Sequence, residues 1–297
     1  MSDQIANITD SPAEKLAGGF GFTEGPLWHP DGYWLFVDIR KLQIHKMSTS
    51  GDLETFRDPS FGTNGMTFDK QGNLVICESD NRQIMRHRAD GSYTAIATHA
   101  DGKRLNRPND IVGRSDGTLY FTDPGGRLTE EERELDYSGV HIIGPDGSNS
   151  VGTTETEYPN GLAFSPDERI LYVAITRLDS RCLEEKENHQ MCEHQLIRAF
   201  DVAADGSLSN NRVFATMYSA EDGVPDGMKV DVEGNIYCTG SGGCWGHFIS
   251  TKMTPARSSF PTMILASAVP ASSARAIMPA GVSRLMPAPS SGKRPTI

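Results

Sequence analysis

Five short segments of this chain resemble one another, and their recurrence constrains the fold more than any other feature of the sequence. Each begins with a side chain that carries an oxygen and leads through a turn into a short apolar strand. The starts are spaced by roughly 40 to 65 residues, a period that is typical of repeat architectures. We call the first residue of each segment a repeat opener; the segments are Glu24-Gly-Pro-Leu-Trp, Asn64-Gly-Met-Thr-Phe, Asn109-Asp-Ile-Val-Gly, Asn160-Gly-Leu-Ala-Phe and Asp226-Gly-Met-Lys-Val.

The strands that follow the turns predict an all-β fold. Short strands joined by Gly, Asn and Asp turns favour a β-propeller over a sandwich. The innermost strand of each propeller blade lines a central channel, so the five repeat openers would meet at one axis. The predicted strands are Trp34–Asp38, Leu74–Glu78, Leu119–Asp123, Leu171–Ala174 and Ile236–Thr239.

Composition excludes several classes of partner and location. The net charge of −11 disfavours nucleic acid and anionic membranes as partners. No stretch reaches the roughly 18 apolar residues that a membrane helix needs. The start of the chain lacks a basic region followed by an apolar one, and the five cysteines show no zinc-ligand spacing. These observations predict a cytoplasmic protein.

The charge balance changes sharply near the end of the chain. All 39 acidic residues lie at or before Glu233, while six of the 28 basic residues follow it. Residues 246–297 contain seven prolines, no Tyr or Trp and no strand-like alternation. We therefore predict a propeller over residues 1–245, with five recognisable blades. Residues 246–297 form an atypical tail in place of the rest of blade five and blade six, either because the tail is out of frame or because it is a natural disordered extension.

The residue types of the repeat openers point to metal chemistry. A single Asn-Gly or Asp-Gly pair is ordinarily a turn signal. A turn does not need a glutamate, however, and Glu24 occupies the same repeat position. Converging carboxylate and amide oxygens are the ligands of a hard divalent cation such as Ca²⁺, Mg²⁺ or Mn²⁺. The ring thus indicates a metal-assisted hydrolase, with a metal-stabilised binding module as the alternative.

Four motifs together resemble the gluconolactonase/regucalcin family, the senescence-marker-protein group. The similarity covers about residues 20 to 245, in the family's order. It implies a six-bladed β-propeller with one divalent ion in its channel and the opening of sugar lactones, although the tail gives the sixth blade no recognisable sequence. The motifs are Thr23-Glu24-Gly25-Pro26-Leu27-Trp28, Asn106-Arg107-Pro108-Asn109-Asp110, Pro159-Asn160-Gly161-Leu162-Ala163-Phe164-Ser165 and Pro225-Asp226-Gly227.

The resemblance also implies roles for individual residues. Glu24, Asn160 and Asp226 match the family's metal ligands, and Asp226 is in addition the implied catalytic base. Ca²⁺ is the first choice of ion, with Zn²⁺, Mg²⁺, Mn²⁺ and Fe²⁺ as alternatives. The implied substrate-binding residues are Arg107, Asn109 and Asp123, of which Asp123 is a candidate for a supporting position. Asn64 shares the repeat position, and we interpret it as structural.

The predicted activity is the opening of a sugar lactone by a metal-activated water that attacks the lactone carbonyl. The predicted partner is therefore a small-molecule sugar lactone, with neither nucleic acid nor membrane involved. Two alternatives stay open: a phosphotriester or other ester hydrolase on the same scaffold, and a non-catalytic propeller that binds a metal or another ligand. The sequence does not indicate the oligomeric state.

Overall fold

The computed structural model describes residues 15–126, 128–176, 195–216 and 224–240, together with the backbone of Gly243–Ile249. The regular structure of these residues consists of twenty-one β-strands, and they contain no helix. The strands are β1 (Thr23–His29), β2 (Tyr33–Asp38), β3 (Gln43–Ser48), β4 (Leu53–Arg57), β5 (Thr63–Phe68), β6 (Leu74–Glu78), β7 (Gln83–His87), β8 (Tyr93–Ala97), β9 (His99–Ala100), β10 (Lys103–Arg104), β11 (Ile111–Gly113), β12 (Leu119–Asp123), β13 (Gly139–Ile143), β14 (Asn149–Thr153), β15 (Pro159–Phe164), β16 (Ile170–Thr176), β17 (Gln195–Val202), β18 (Leu208–Thr216), β19 (Pro225–Val230), β20 (Ile236–Gly240) and β21 (Gly243–Ile249).

The strands form five antiparallel sheets in which neighbours in sequence are neighbours in space. The first sheet contains β1 to β4, the second β5 to β8, the third β11 to β14 and the fourth β15 to β18. The fifth contains β19 to β21, and β9 and β10 form a separate hairpin. Each sheet therefore corresponds to one sequence repeat, and its first strand carries or directly follows the repeat opener. The predicted all-β fold and the five predicted strands are confirmed.

Side chains fix the turns between the first two strands of several sheets. In the second sheet the carboxylate of Asp69 accepts hydrogen bonds from the backbone N–H groups of Gln71 and Asn73, at 3.0 and 2.9 Å. Asp231 makes the equivalent pair in the fifth sheet, at 2.9 and 2.8 Å. Aspartate suits this position because its short side chain can bond the backbone two residues later. The same local chemistry thus sets the hairpin register in two repeats.

The hydrophobic core lies between consecutive sheets. One cluster joins the first and second sheets, one the second and third, one the third and fourth, and one the fourth and fifth. The second strand of a sheet is consequently covered on both faces, and all five residues of β12 are buried. A strand with two buried faces reads as a continuous apolar run. The sheets therefore pack face to face, as blades do.

Two predictions about the overall architecture lie beyond the described residues. The described residues form five blade-type sheets, so the predicted number of six blades stays a prediction. Residues 250–297 of the predicted tail are outside the described part of the chain. The predicted boundary after residue 245 falls inside β21, whose backbone pairs with β20 up to Ile249. The described residues include no helix long and apolar enough to cross a membrane. The cytoplasmic location stays a prediction.

Candidate functional site

The five repeat openers meet at one cavity of about 240 Å³. Its wall also includes Arg107 and the apolar residues Phe22 and Ile39. The residues come from all five sheets, although up to 202 positions separate them in the sequence. The openers on its wall are Glu24, Asn64, Asn109, Asn160 and Asp226.

A β-bulge places the repeat openers. In the second, fourth and fifth sheets, the opener and the glycine after it lie together opposite a single residue of the next strand. In the first sheet the register shift begins immediately after Glu24. A bulge bends its strand and redirects a side chain. The same irregularity therefore recurs at the cavity in four sheets.

Glycine follows most openers because adjacent first strands approach closely at this level. A Cβ atom on Gly161 would collide with the backbone carbonyl oxygen of Asp226, and one on Gly25 would collide with that of Asn64. Both glycines thus contact the opener of the following sheet. Their role is to allow the first strands to converge.

Hydrogen bonds between sheets hold the openers in register. The N–H of Gly65 donates to the carbonyl oxygen of Asn109 at 2.7 Å. The hydroxyl of Thr122 donates to the carbonyl oxygen of Asn160 at 2.8 Å, and that of Thr176 donates to the carbonyl oxygen of Pro225. Sheets two to five are therefore linked in order around the cavity, next to the openers.

Two carboxylates of the cavity repel each other. Burial raises the pKa of Glu24 well above its usual range, and the charge of Asp226 raises it further. Burial likewise raises the pKa of Asp226 to about 6, with the charge of Asp110 as the second cause. A side-chain hydrogen bond from Asn160 opposes that increase. Two half-buried carboxylates with raised pKa values indicate a site for positive charge.

The donor set fits the metal ligands that the sequence predicts. Glu24 and Asp226 supply carboxylate oxygens, and Asn160 supplies an amide beside Asp226. Oxygen ligands of this kind suit a hard divalent cation. No cluster of three or more His, Cys, Asp and Glu side chains with metal-binding geometry occurs in the described part of the chain. The predicted set has only two such residues, because its third member is an amide.

Asp110 is a third carboxylate near the site, and the sequence analysis missed it. Its carboxylate accepts hydrogen bonds from the N–H groups of Ile111 and Leu162, the latter in the fourth sheet. Its charge raises the pKa of both Glu24 and Asp226. One signal was available in the sequence: the third repeat has an aspartate where the others have glycine after the opener.

The predicted substrate segment is held from the second sheet, at the turn between β6 and β7. The hydroxyl of Ser79 donates to the carbonyl oxygen of Pro108 at 2.5 Å. Asp80 accepts a hydrogen bond from the guanidinium of Arg107, also at 2.5 Å. Arg107 thus lies on the cavity wall and at the same time forms an ion pair with Asp80.

Two further residues of that turn complete the attachment. The guanidinium of Arg82 donates to the carbonyl oxygen of Leu105 at 2.6 Å, and that of Arg104 donates to the carbonyl oxygen of Asn81 at 3.1 Å. Arg82 itself has a left-handed backbone, with φ of 55°. Non-glycine residues in this region are uncommon, and surrounding contacts must maintain them. Four consecutive turn residues therefore fix the segment that carries Arg107.

Asp123 lies behind the cavity wall and is not among the described residues that line it. Its fully buried carboxylate accepts the N–H of Asn106 at 2.7 Å. The imidazole Nε2 of His141, also fully buried, lies 3.8 Å from the same carboxylate. Burial raises the pKa of Asp123 to about 7 and lowers that of His141 to about 4. The Asp123 carboxylate thus contacts the backbone of the predicted substrate segment, and a part for it in substrate binding stays a prediction.

Asn64 lies on the cavity wall with the other openers. From the sequence we interpreted Asn64 as structural. Its backbone has such a role, because Gly25 packs against its carbonyl oxygen. Its place on the wall adds a candidate contact for ligand.

Comparisons with known proteins agree with this arrangement. A family model described as the SMP-30/gluconolactonase/LRE-like region matches residues 22–269. The chain is 28% identical to a gluconolactonase from Zymomonas mobilis subsp. mobilis, over 82% of this chain and 71% of that protein. It is 41% identical to the lactonohydrolase oryH from Aspergillus oryzae, over 77% of this chain and 51% of that protein.

A solved structure has the same fold. A gluconolactonase from Xanthomonas campestris superposes with a TM-score of 0.64 and 32% identity, covering 76% of this chain and 72% of that one. Face-to-face packing of consecutive four-stranded sheets is the arrangement of propeller blades. The chain therefore has a β-propeller-type fold, with its candidate site at the converging first strands.

Proposed function

Because the chain belongs to the SMP-30/gluconolactonase/LRE-like family, we propose that it is a hydrolase that opens sugar lactones to hydroxy acids. The observation that supports this proposal most is the convergence of five oxygen-bearing side chains from five sheets on one cavity. Two of them, Glu24 and Asp226, are carboxylates with raised pKa values. Such values are common where catalytic or metal-binding groups are brought together.

We propose that one divalent ion is held by Glu24, Asn160 and Asp226, with Ca²⁺ as the first choice among Ca²⁺, Zn²⁺, Mg²⁺, Mn²⁺ and Fe²⁺. The two carboxylates would balance its charge, which removes the repulsion that raises the pKa of Glu24. A bound divalent ion polarises a carbonyl oxygen and stabilises negative charge that develops on it.

The chain's own residues supply the remaining steps. Asp226 accepts the proton of the attacking water, and the hydrogen bond from Asn160 fixes the orientation of its carboxylate. Arg107 and Asn109 donate hydrogen bonds to the carbonyl and hydroxyl oxygens of the lactone. The apolar side chains of Phe22 and Ile39 also line the cavity. The water oxygen bonds to the carbonyl carbon, the ring C–O bond breaks, and the proton held by Asp226 passes to the ring oxygen. The products are a hydroxyl group and a carboxylic acid, which ionises and releases one proton.

Acid release from glucono-1,5-lactone in a pH-stat tests this function. We expect a rate above spontaneous hydrolysis that a chelator abolishes and one of the five candidate ions restores. Asp226→Asn should lose at least about 1,000-fold in kcat, since it removes the proton acceptor and one carboxylate ligand. Asp31→Asn, on the exposed turn of the first hairpin, is the control and should keep full activity.

Two outcomes would replace the proposal. Hydrolysis of a phosphotriester such as paraoxon, without lactone turnover, would indicate an ester hydrolase of different substrate class. Calorimetric binding of the ion by folded protein that turns over neither substrate would indicate a non-catalytic propeller. Folded protein that neither binds an ion nor releases acid would contradict the site assignment itself.

A further inference from the structure

Arg107 is the one positively charged residue among the described residues on the cavity wall. Its guanidinium is already paired, because the Asp80 carboxylate lies 2.5 Å from Nη2. The Arg107 side chain is 22% exposed and that of Asp80 is 45% exposed, so solvent reaches the pair and it is not enclosed. The charge of Arg107 is therefore balanced before any ligand binds.

The backbone around Asp80 is built to keep this pair together. A Cβ on Gly62 would lie 2.5 Å from the Asp80 carboxyl group, so only glycine leaves room for it. The N–H of Asp80 donates to the carbonyl oxygen of Phe61 at 3.3 Å. The neighbouring Ser79 anchors Pro108, the residue after Arg107. Both members of the ion pair are thus fixed by their own segments.

The pairing of Arg107 with Asp80 affects how tightly the reaction product binds, an inference that rests on the proposed lactone hydrolysis. Hydrolysis converts an uncharged ester into a carboxylate at the same site. A free guanidinium binds a carboxylate through two parallel, charge-assisted hydrogen bonds. It would therefore hold the product more tightly than the substrate. A guanidinium that already faces a carboxylate keeps N–H donors for neutral oxygens but attracts an anion much less.

We propose that Asp80 is a specificity-determining residue that orients Arg107 toward uncharged lactones and weakens the binding of the carboxylate product. Asp80 itself need not contact the substrate. It acts through Arg107, whose positive charge it balances at 2.5 Å.

Asp80→Asn tests this inference, with gluconate as the product probe at pH 7 and low salt. We expect the inhibition constant of gluconate to fall about tenfold, which corresponds to about 1.4 kcal/mol. The KM for glucono-1,5-lactone should rise or stay unchanged, so the substitution should strengthen binding of the product but not of the substrate. Calorimetric titration with gluconate gives the same comparison without turnover. The difference should shrink at high salt, because ions screen charges at an exposed site.

The controls separate charge from structure. Asp116 pairs with Arg114 at 3.2 Å on an outer turn and is 42% exposed, so Asp116→Asn removes a similar ion pair away from the cavity and should change neither constant. Asp80→Glu retains the charge and should keep gluconate binding weak. Asp80→Ser makes the same charge change with a smaller side chain and gives a second, independent measurement.

Gluconate that binds the Asn and Ser variants no more tightly than the wild type would overturn the inference, because a purely structural role predicts equal or weaker binding. A tighter binding that persists unchanged at high salt would also contradict it. Neither result affects lactone hydrolysis by the wild type, so this failure is distinct from failure of the proposed function.

Discussion

The side chain of Asn160 donates a hydrogen bond to the carboxylate of Asp226 across the boundary between the fourth and fifth sheets. The same boundary contains the contact of Gly161 with the Asp226 backbone and the bond from Thr176 to Pro225. Two candidate ligands are therefore positioned by the packing of one sheet against the next. Substitutions that alter this packing should change metal affinity as well as stability.

Gly161→Ala should lower stability by at least about 2 kcal/mol, because the added methyl group collides with backbone atoms that cannot move independently. The affinity for the ion should fall in parallel, measured by calorimetric titration. Gly72→Ala is the control: Gly72 has a positive φ of 80° and open space around its Cβ position. It should cost only about 1 kcal/mol for backbone conformation and leave ion affinity unchanged. Equal effects of the two variants would contradict the steric explanation.

Glu24→Gln should stabilise the metal-free protein while weakening metal binding. The substitution removes the charge whose burial and proximity to Asp226 raise the pKa of Glu24. At pH 8 with a chelator, we expect the Tm to rise by roughly 2–4 °C. The Tm increase caused by added ion should become smaller, since stabilisation by a ligand rises with the logarithm of its concentration relative to Kd. Glu54→Gln, at an exposed pair with Lys46, should change neither quantity. A lower metal-free Tm for Glu24→Gln would refute the electrostatic reasoning.

Asp123 and His141 should contribute opposite pH dependences to the free energy of unfolding, and these largely offset each other in the wild type. The pKa of Asp123 is raised to about 7, so its contribution is present at low pH and is lost as pH rises toward 7. The pKa of His141 is lowered to about 4, so its contribution is present above about 6.5 and is lost as pH falls toward 4. Between pH 4 and 6.5 the two slopes largely cancel.

Single substitutions should reveal each slope. Asp123→Asn should make stability increase with pH over this interval, and His141→Phe should make it decrease, each by about 1.4 kcal/mol per pH unit at most. Phenylalanine suits the site because the imidazole stacks on Phe121 and neither ring nitrogen has a hydrogen-bond partner among the described residues. Urea unfolding at several pH values measures both. Parallel curves for the two variants would contradict the assignment.

Thr122→Val should weaken the link between the third and fourth sheets. The hydroxyl donates to the carbonyl oxygen of Asn160 and accepts the N–H of Asp110 at 3.0 Å. Leaving these groups unpaired should cost about 1–3 kcal/mol and reduce ion affinity. Tyr120→Phe removes a buried hydrogen bond to Gly206 at 2.6 Å, between the same two sheets but away from the cavity. Tyr120→Phe should lower stability without affecting ion binding. If both variants weakened ion binding, the cause would be a general loss of packing between the two sheets and not the contact at Asn160.

The repeat openers and the predicted strands could be read from the sequence because both depend on local chemistry. A turn and a short apolar run define each strand, and the opener lies 10 or 11 residues before the start of the strand. The residues that support the site could not be read in the same way. Asp80 and Arg107 are 27 positions apart, and their contact exists only because the second sheet packs beside the third. Asp123 is the last residue of β12, a position from which the sequence alone would place its side chain in the cavity. In the structure, its carboxylate instead accepts a hydrogen bond from the N–H of Asn106.

The bulges that hold the openers have a consequence for how such a site can diversify. In three sheets the opener and its glycine share one opposing residue, so the opener lies where the regular ladder is already interrupted. Exchanging its side chain therefore leaves the ladder pairing intact. A scaffold of this kind can change its ligands one repeat at a time, from amide to carboxylate or the reverse, without altering how its strands pair. The side chains at the cavity can therefore change in evolution without a change in the sheets that hold them.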